Sequence, residues 1–446
     1  MKYYSINRNS PEVDFKTATI KGLAPDKGLY FPEYIPKWNA DFISNLKNMS
    51  PAEIGFEIMK PYVGDSIPDD ELMQIMQQTL SFDIPLKKIE ENIYCLELFH
   101  GPTLAFKDIG ARFLSRCLGY FAKQQNEKII ILVATSGDTG GAVADGFYNV
   151  PGTEVVILYP SGKVSEVQEK QLTGLGGNIH ALEIQGDFDD CQRLVKLAFA
   201  DDELQRLGML TSANSINISR WLSQQIYYAI ALSQWEENTL PVVSVPSGNF
   251  GNLCAGLVAQ VSGLPIKHFI AACNQNDVFT IYIETGRYEP TISIPTLSNA
   301  MDVGNPSNFI RILELFGNDY DKIKEIISSF SFTDEETANT VKNVYKSTHK
   351  ILDPHTAVAF AGLKTYLADN PQEKGFILAT AHPLKFAPTV EKMIDQKINI
   401  PEHIQHIMNS QKKATLITPV FSELKKILQC IFNQVQVQTT IKPTNC

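Results

Sequence analysis

Beyond about residue 88 the chain alternates two patterns: short apolar runs rich in β-branched residues, and longer amphipathic runs. KIIILVA (128–134), EVVILY (154–159), ALEIQ (181–185), PVVSV (241–245), HFIAAC (268–273) and GFILAT (375–380) read as strands. Helical patterns lie near 108–124, 139–149, 164–174, 188–200, 216–235 and 250–262. Strands separated by helices need crossover connections, so they pair in parallel and carry helices on both faces. The near-continuous apolar character of these strands fits burial on both sides. The pattern predicts an α/β fold. In such sheets ligands sit beyond the carboxyl ends of the strands, so the loops that follow strands are where chemistry is expected.

The remainder has less pattern. Residues 1 to about 80 form a small mixed region, with a turn-rich GLAPDKGLYFPEYIP (22–36) and helical patterns near 40–61 and 69–80. The charged segment 317–350 reads as exposed and helical. After about 400 the chain is helix-like and then polar, with NQVQVQTTIKPTNC (433–446) as a short terminal strand or a frayed tail.

The formal net charge of −10 argues against nucleic acid or an anionic membrane as the main partner. It leaves room for a small anionic substrate held by a local cluster of donors. No apolar run approaches the roughly 18 residues of a membrane span, and MKYYSINRNS has no apolar core of a secretory signal. The 7 cysteines include no CxxC pair and read as reduced thiols. A cytoplasmic protein is expected. No HExxH and no zinc-type cysteine–histidine spacing occurs, so no metal site is expected. A G-x-S-x-G elbow, a Walker loop and a GxGxxG fingerprint are also missing.

Five strand-end or loop stretches carry chemistry. Thr135-Ser136-Gly137-Asp138-Thr139-Gly140-Gly141 follows the first strand and opens a helix, where glycines, hydroxyls and the helix N-terminus suit a carboxylate or a phosphate. The plain alternative is a tight turn capped by Ser136 or Asp138. Ser247-Gly248-Asn249-Phe250-Gly251-Asn252 has the same build, and small residues let backbone N–H groups cradle a phosphate. Thr380 ends the strand GFILAT and offers a hydroxyl. Asn214-Ser215-Ile216-Asn217-Ile218-Ser219-Arg220 runs into a helix, and Arg220 suits carboxylate or phosphate equally. In HGPTLAFKDIGARF (100–113), Lys107 sits between Phe106 and Asp108 where a loop becomes a helix. Asp108 reads as the cap of that helix, and His100 as a structural donor or a ligand-orienting group. Two anion cradles, a lysine in an aromatic setting and no metal motif point to pyridoxal phosphate. That cofactor needs a lysine for its aldehyde, donors for its phosphate and a partner for its ring nitrogen.

The ordered set of motifs resembles the threonine synthases of the longer bacterial and fungal type. The motifs are GLAPDKGLYFP (22–32), LELFHGPTLAFKDIGARF (96–113), ATSGDTGGAV (134–143), TSANSINISR (211–220), VPSGNFGN (245–252), TLSNAMDVGNPSN (296–308) and TAHPLKF (380–386). The resemblance implies a pyridoxal-phosphate-dependent fold like that of the tryptophan synthase β-subunit, with two parallel-sheet subdomains and an added N-terminal region. It implies an N-terminal region over 1–85, a catalytic core over 86–400 and a C-terminal helical segment and tail over 401–446. The implied reaction converts O-phospho-L-homoserine and water into L-threonine and phosphate. Lys107 is implied as the residue that bonds the cofactor. Gly248, Asn249, Phe250, Gly251 and Asn252 are implied for its phosphate, and Thr380 for its ring nitrogen. Ser136, Gly137, Asp138 and Thr139 match the loop that receives the substrate carboxylate. Asn214, Ser215, Asn217 and Arg220 are candidates for the substrate phosphate or the cofactor O3′. The competing expectations are a serine or threonine dehydratase-like lyase of the same fold, or a non-catalytic relative. A monomer and a homodimer are equally compatible with the sequence.

Overall fold

The computed structural model describes residues 1–125 and 128–440, with backbone alone at Gln125 and over 434–440. Two sheets organise the chain. The larger has six strands in the order Ile327–Ser331, His268–Cys273, Val242–Pro246, Gly375–Ala379, Ile93–Glu97 and Leu86–Glu90. Only the last pair is antiparallel. The smaller sheet is parallel throughout, in the order Ala414–Ile417, Ile179–Ile184, Thr153–Pro160, Ile129–Ala134 and Met209–Ser212. All six strands expected from the sequence are present, within two residues at each end.

The strand Ile129–Ala134 shows why the apolar runs read correctly. All its residues are buried, and the period of two splits them between two layers. Ile129, Ile131 and Val133 pack with Ala111, Leu114 and Val143 on one face. Ile130, Leu132 and Ala134 pack with Cys191, Leu194 and Leu428 on the other.

Three expectations change. The helix over 216–235 is two helices, Ile218–Leu222 and Gln225–Ser233. At the break, the Ser223 hydroxyl and the Gln224 amide donate to the carbonyls of Ser219 and Arg220, side-chain bonds that compete with the helical ladder. Segment 317–350 does hold the helices Tyr320–Ile326 and Asp334–Thr348. Between them, however, Ile327–Ser331 forms the parallel edge strand of the larger sheet. Its buried Ile327 is part of the main core. Segment 401–446 holds a strand as well as the expected helix. Ala414–Ile417 extends the smaller sheet, and the helix Phe421–Thr440 packs Leu424 and Leu428 against it. That helix takes in NQVQVQTT, so no terminal strand forms there; residues 441–446 lie outside the described residues.

The helix Pro354–Asp369 has start signals, Asp353 as N-cap and Pro354 at its first position, but no amphipathic stripe. It is apolar nearly all round because it is buried against the larger sheet, which erases the amphipathic stripe.

The N-terminal region pairs Tyr3–Ser5 with Tyr30–Pro32. It shares one core with the larger sheet, in which Phe15, Ile58 and Tyr62 meet Phe113, Phe121 and Trp221. Phe15 is fully buried, with ring centroids 6.1 Å from Tyr3 and 6.4 Å from both Phe113 and Phe121. Phe15→Ala should therefore destabilise the protein by about 3–5 kcal/mol, read from equilibrium unfolding in urea. A loss below about 1 kcal/mol would mean the N-terminal region does not share the catalytic core.

Candidate active site

The site forms where loops from the two sheets meet. The backbone at Leu104–Phe106 pairs with Thr380–His382: Phe106 N donates to Thr380 O at 3.0 Å, and His382 N to Leu104 O at 3.0 Å. This sets Lys107, first residue of the helix Lys107–Gln125, beside the end of the strand Gly375–Ala379. Asp108 does not cap that helix. Its carboxylate closes the preceding turn, accepting from Thr103 N at 2.9 Å and from the Thr103 hydroxyl. The approach explains Gly101, where a Cβ would lie 2.4 Å from Asp108 Oδ2. Burial, reinforced by Asp145, raises the Asp108 carboxyl to about 7. His100 bonds Glu97 at 2.7 Å, and Glu97 also pairs with Lys87, so the histidine braces the turn.

Lys107 Nζ lies 3.7 Å from Asp138 Oδ2 and 4.9 Å above the Phe106 ring. Burial lowers the lysine from its ordinary value, and Lys385 and Arg220 add to this against the pull of Asp138. Asp138 shows the reverse balance. Its burial favours the neutral acid, but Lys385 and Lys107 hold it well below the usual carboxylate range. Lys385 is fully buried, 2.7 Å from Asp138 Oδ1, and donates to Thr103 O at 2.8 Å. The sequence reading quoted TAHPLKF yet gave no role to its lysine.

The helix Asp138–Phe147 starts without a side-chain cap at its N-cap residue, Gly137, whose φ is +138°. Neither Ser136 nor Asp138 is the cap; Thr135 Oγ1 accepts from Gly137 N at 3.0 Å and Gly140 N at 2.9 Å. The N–H groups of Asp138 and Thr139 have no partner among the described residues. Ser136 is exposed, and Thr139 is partly exposed beside them.

The second cradle precedes the helix Gly251–Ser262. Phe250 turns the chain at φ +60° with its ring buried 4.6 Å from Phe279. None of the N–H groups from Gly248 to Leu253 has a partner among the described residues, the signature of an anion nest. Asn249 is held by side-chain bonds with Ser215 and Ser307, and its carbonyl by Asn308. Asn252 Oδ1 accepts from Tyr227 and Tyr228, leaving Nδ2 buried and unpartnered.

Arg311 joins these parts, and the sequence reading missed it. Its guanidinium donates to Ser215 O, Ile216 O, Asn308 Oδ1 and Tyr30 O, and lies 4.3 Å over the Trp221 ring. It is fully buried and forms no salt bridge among the described residues. Burial pushes it down to about 9. Its only sequence signal is its place one helical turn after TLSNAMDVGNPSN.

The stretch 214–220 divides. Asn217 is spent on the backbone: its amide donates to Thr19 O at 2.9 Å and accepts from Ser219 N at 3.0 Å. Asn214 Oδ1 and Arg220 Nε are buried with no partner, and Arg220 makes one bond, from Nη1 to Ala213 O. Burial lowers Arg220 to about 10. The Thr380 hydroxyl makes no hydrogen bond among the described residues, nor do those residues hold a cluster that could bind a metal.

These residues fit pyridoxal phosphate: a lysine with a lowered pKa, a nest of N–H groups with no protein partner among the described residues, an unbonded strand-end hydroxyl and orphaned polar atoms. At Gly248 a Cβ would lie 2.5 Å from Met301 Cα and 3.0 Å from its carbonyl oxygen. Gly248→Ala should therefore open the cradle and weaken pyridoxal phosphate binding at least about tenfold, measured by equilibrium dialysis. Unchanged binding would remove this turn from the phosphate site.

Comparison with known proteins gives the same assignment. Residues 43–380 match the pyridoxal-phosphate-dependent enzyme family, residues 2–80 the threonine synthase N terminus, and residues 356–428 the threonine synthase C-terminal family. Threonine synthase of Buchnera aphidicola (from Acyrthosiphon pisum) is 43% identical over 96% of this chain and 99% of its own. The crystal structure of threonine synthase from Escherichia coli superposes with a TM-score of 0.90 at 41% identity, covering 97% of this chain and 100% of that one. A PLP-bound threonine synthase from Brucella melitensis gives 0.91 at 34% identity, over 96% and 99%. The chain belongs to the threonine synthase family of pyridoxal-phosphate-dependent enzymes.

Proposed function

We propose that the pocket around Lys107 converts O-phospho-L-homoserine and water into L-threonine and phosphate, with the roles divided as follows. The observation that carries this division is the pair of N–H cradles at two helix N-termini whose donors have no protein partner among the described residues, with Lys107 beside one of them.

The bound cofactor supplies an electron sink for the substrate's Cα. Lys107 would anchor the cofactor through its amine and, as a free amine, would hold and move the Cα proton. It can accept that proton only as a neutral amine. Burial, Lys385 and Arg220 all favour that form. The Gly248–Asn252 turn, steadied by Asn249, Asn308 and Arg311, holds the cofactor phosphate. The Thr380 hydroxyl would be the partner of the ring nitrogen, a neutral donor rather than an acid. The Asp138 and Thr139 N–H groups, with the hydroxyls of Ser136 and Thr139, receive the substrate carboxylate. Arg220, whose Nε–H has no partner among the described residues, takes the substrate phosphate; Asn214 Oδ1 is an acceptor and does not, while Ser215 and Asn217 hold that loop in place. Phe106 keeps water from the amine.

The dehydratase-like alternative needs no second phosphate site, and the unpaired Arg220 guanidinium favours the phosphorylated substrate. A non-catalytic role is disfavoured by the intact Lys107 and the unpaired N–H donors of both cradles. Among the described residues no helix is long and apolar enough to cross a membrane. The buried free thiols Cys95, Cys117, Cys191, Cys254 and Cys273 suit a reducing compartment, so the cytoplasm is part of this reading.

Lys107→Ala should lose both the visible absorbance of lysine-bound cofactor and threonine formation; retention of both would reassign the anchor. The acid limb of kcat against pH should lie below the ordinary amine value of 10.5, because the lowered Lys107 sheds its proton early. Arg220→Ala should raise KM for O-phospho-L-homoserine about 10- to 100-fold, the scale of a lost charged hydrogen bond. Binding of L-serine should change little. Equal losses for both ligands would move Arg220 out of the phosphate site.

A further inference from the structure

Asp138 poses a problem for an anion site. Its side chain is 6% exposed and sits in the first turn of the helix whose N-terminus is to hold a carboxylate. An ionised neighbour there would repel the substrate. Of the two lysines against it, the structure places Lys385 the closer. Lys385, 0% exposed, reaches from the Pro383–Phe386 turn beyond the larger sheet to Asp138 beyond the smaller one, at 2.7 Å. Its second bond is to Thr103 O, which also accepts from Gln171. Gln168 donates to the same Asp138 oxygen at 3.0 Å. The oxygen facing Lys107 is the other one, at 3.7 Å. The charged groups around Lys107 are thus Asp138, Lys385 and Arg220, with Asp108 beyond the arginine.

We propose that Lys385 is a positioning residue that neutralises Asp138, so that the Asp138 helix accepts the substrate carboxylate and Lys107 is left without a full counter-ion. This rests on the reading of that helix N-terminus as the carboxylate site. A buried ion pair has one further property: removing one partner alone is far worse than removing both. A residue that merely packs, or only ties the loop to Thr103, has no such dependence on Asp138.

The test compares the holoenzyme with its Lys385→Met, Asp138→Asn and Lys385→Met/Asp138→Asn variants. The readouts are KM against kcat for O-phospho-L-homoserine and the pH midpoint of the cofactor's visible absorbance. Lys385→Met should raise KM at least about tenfold and move the midpoint up by about one pH unit, since Asp138 then pairs with Lys107 alone. Asp138→Asn should move the midpoint down. The double variant should recover KM to within about threefold of the parent. A double variant no better than Lys385→Met, or a midpoint raised by Asp138→Asn, overturns the proposal. If Lys385→Met does not fold, the direction of the Asp138→Asn shift decides alone, with Lys385→Arg expected to keep the parent midpoint. Failure of the parent enzyme to act on O-phospho-L-homoserine would instead sink the functional reading, and it is seen before any variant is made.

Discussion

The contact between Lys385 and Asp138 is the one on which the site depends. It is a buried ion pair whose two members follow different sheets, and it settles three things together. It brings the loop after Gly375–Ala379 against the loop after Ile129–Ala134. It keeps Asp138 ionised despite burial. It also divides the carboxylate between two lysines, so Lys107 receives one oxygen at 3.7 Å rather than a close partner. A lysine that is to serve as a base, the role proposed for Lys107, cannot be held in a tight ion pair. A lysine in an apolar pocket with no counter-charge would leave the helix N-terminus around it unorganised. The arrangement lies between these extremes.

The same economy runs through the rest of the pocket. A chain of net charge −10 builds a cationic interior by burying Lys385, Arg220 and Arg311 and bonding the two arginines to carbonyls rather than to acids. Arg311 is bonded to the loop at Ser215–Ile216, to Asn308 and to the N-terminal region through Tyr30. An uncompensated buried cation is costly in isolation. Beside two N–H nests it favours occupation by anions, which is what a phosphorylated cofactor and a phosphorylated substrate supply.

How far the sequence could be read follows from this physics. The strands around both cradles were legible because double-sided burial leaves uninterrupted apolar runs. The glycines of the cradles were legible because close backbone approach excludes side chains. Lys107 stood out by its setting beside Phe106. What could not be read depends on partners far apart in sequence. Lys385 meets Asp138 across 247 positions, as the difference of their numbers shows. Arg311 meets Tyr30 across 281. Lys385 lies inside TAHPLKF and Arg311 just beyond TLSNAMDVGNPSN, but neither motif shows the distant partner that gives the residue its role. Asn217 was misread in the other direction: an amide in a polar loop looks available until the Thr19 carbonyl is found beside it. Asp108 looked like a helix cap because acids at that position often are, whereas here the nearer donors belong to Thr103.

The central claim is that this pocket carries a phosphorylated substrate through loss of phosphate and gain of water without releasing it. The most direct measurement is the ratio of L-threonine formed to phosphate released when the purified holoenzyme is given O-phospho-L-homoserine. The account predicts one L-threonine for each phosphate. Phosphate released without threonine, with a 2-oxo acid and ammonia in its place, would contradict it.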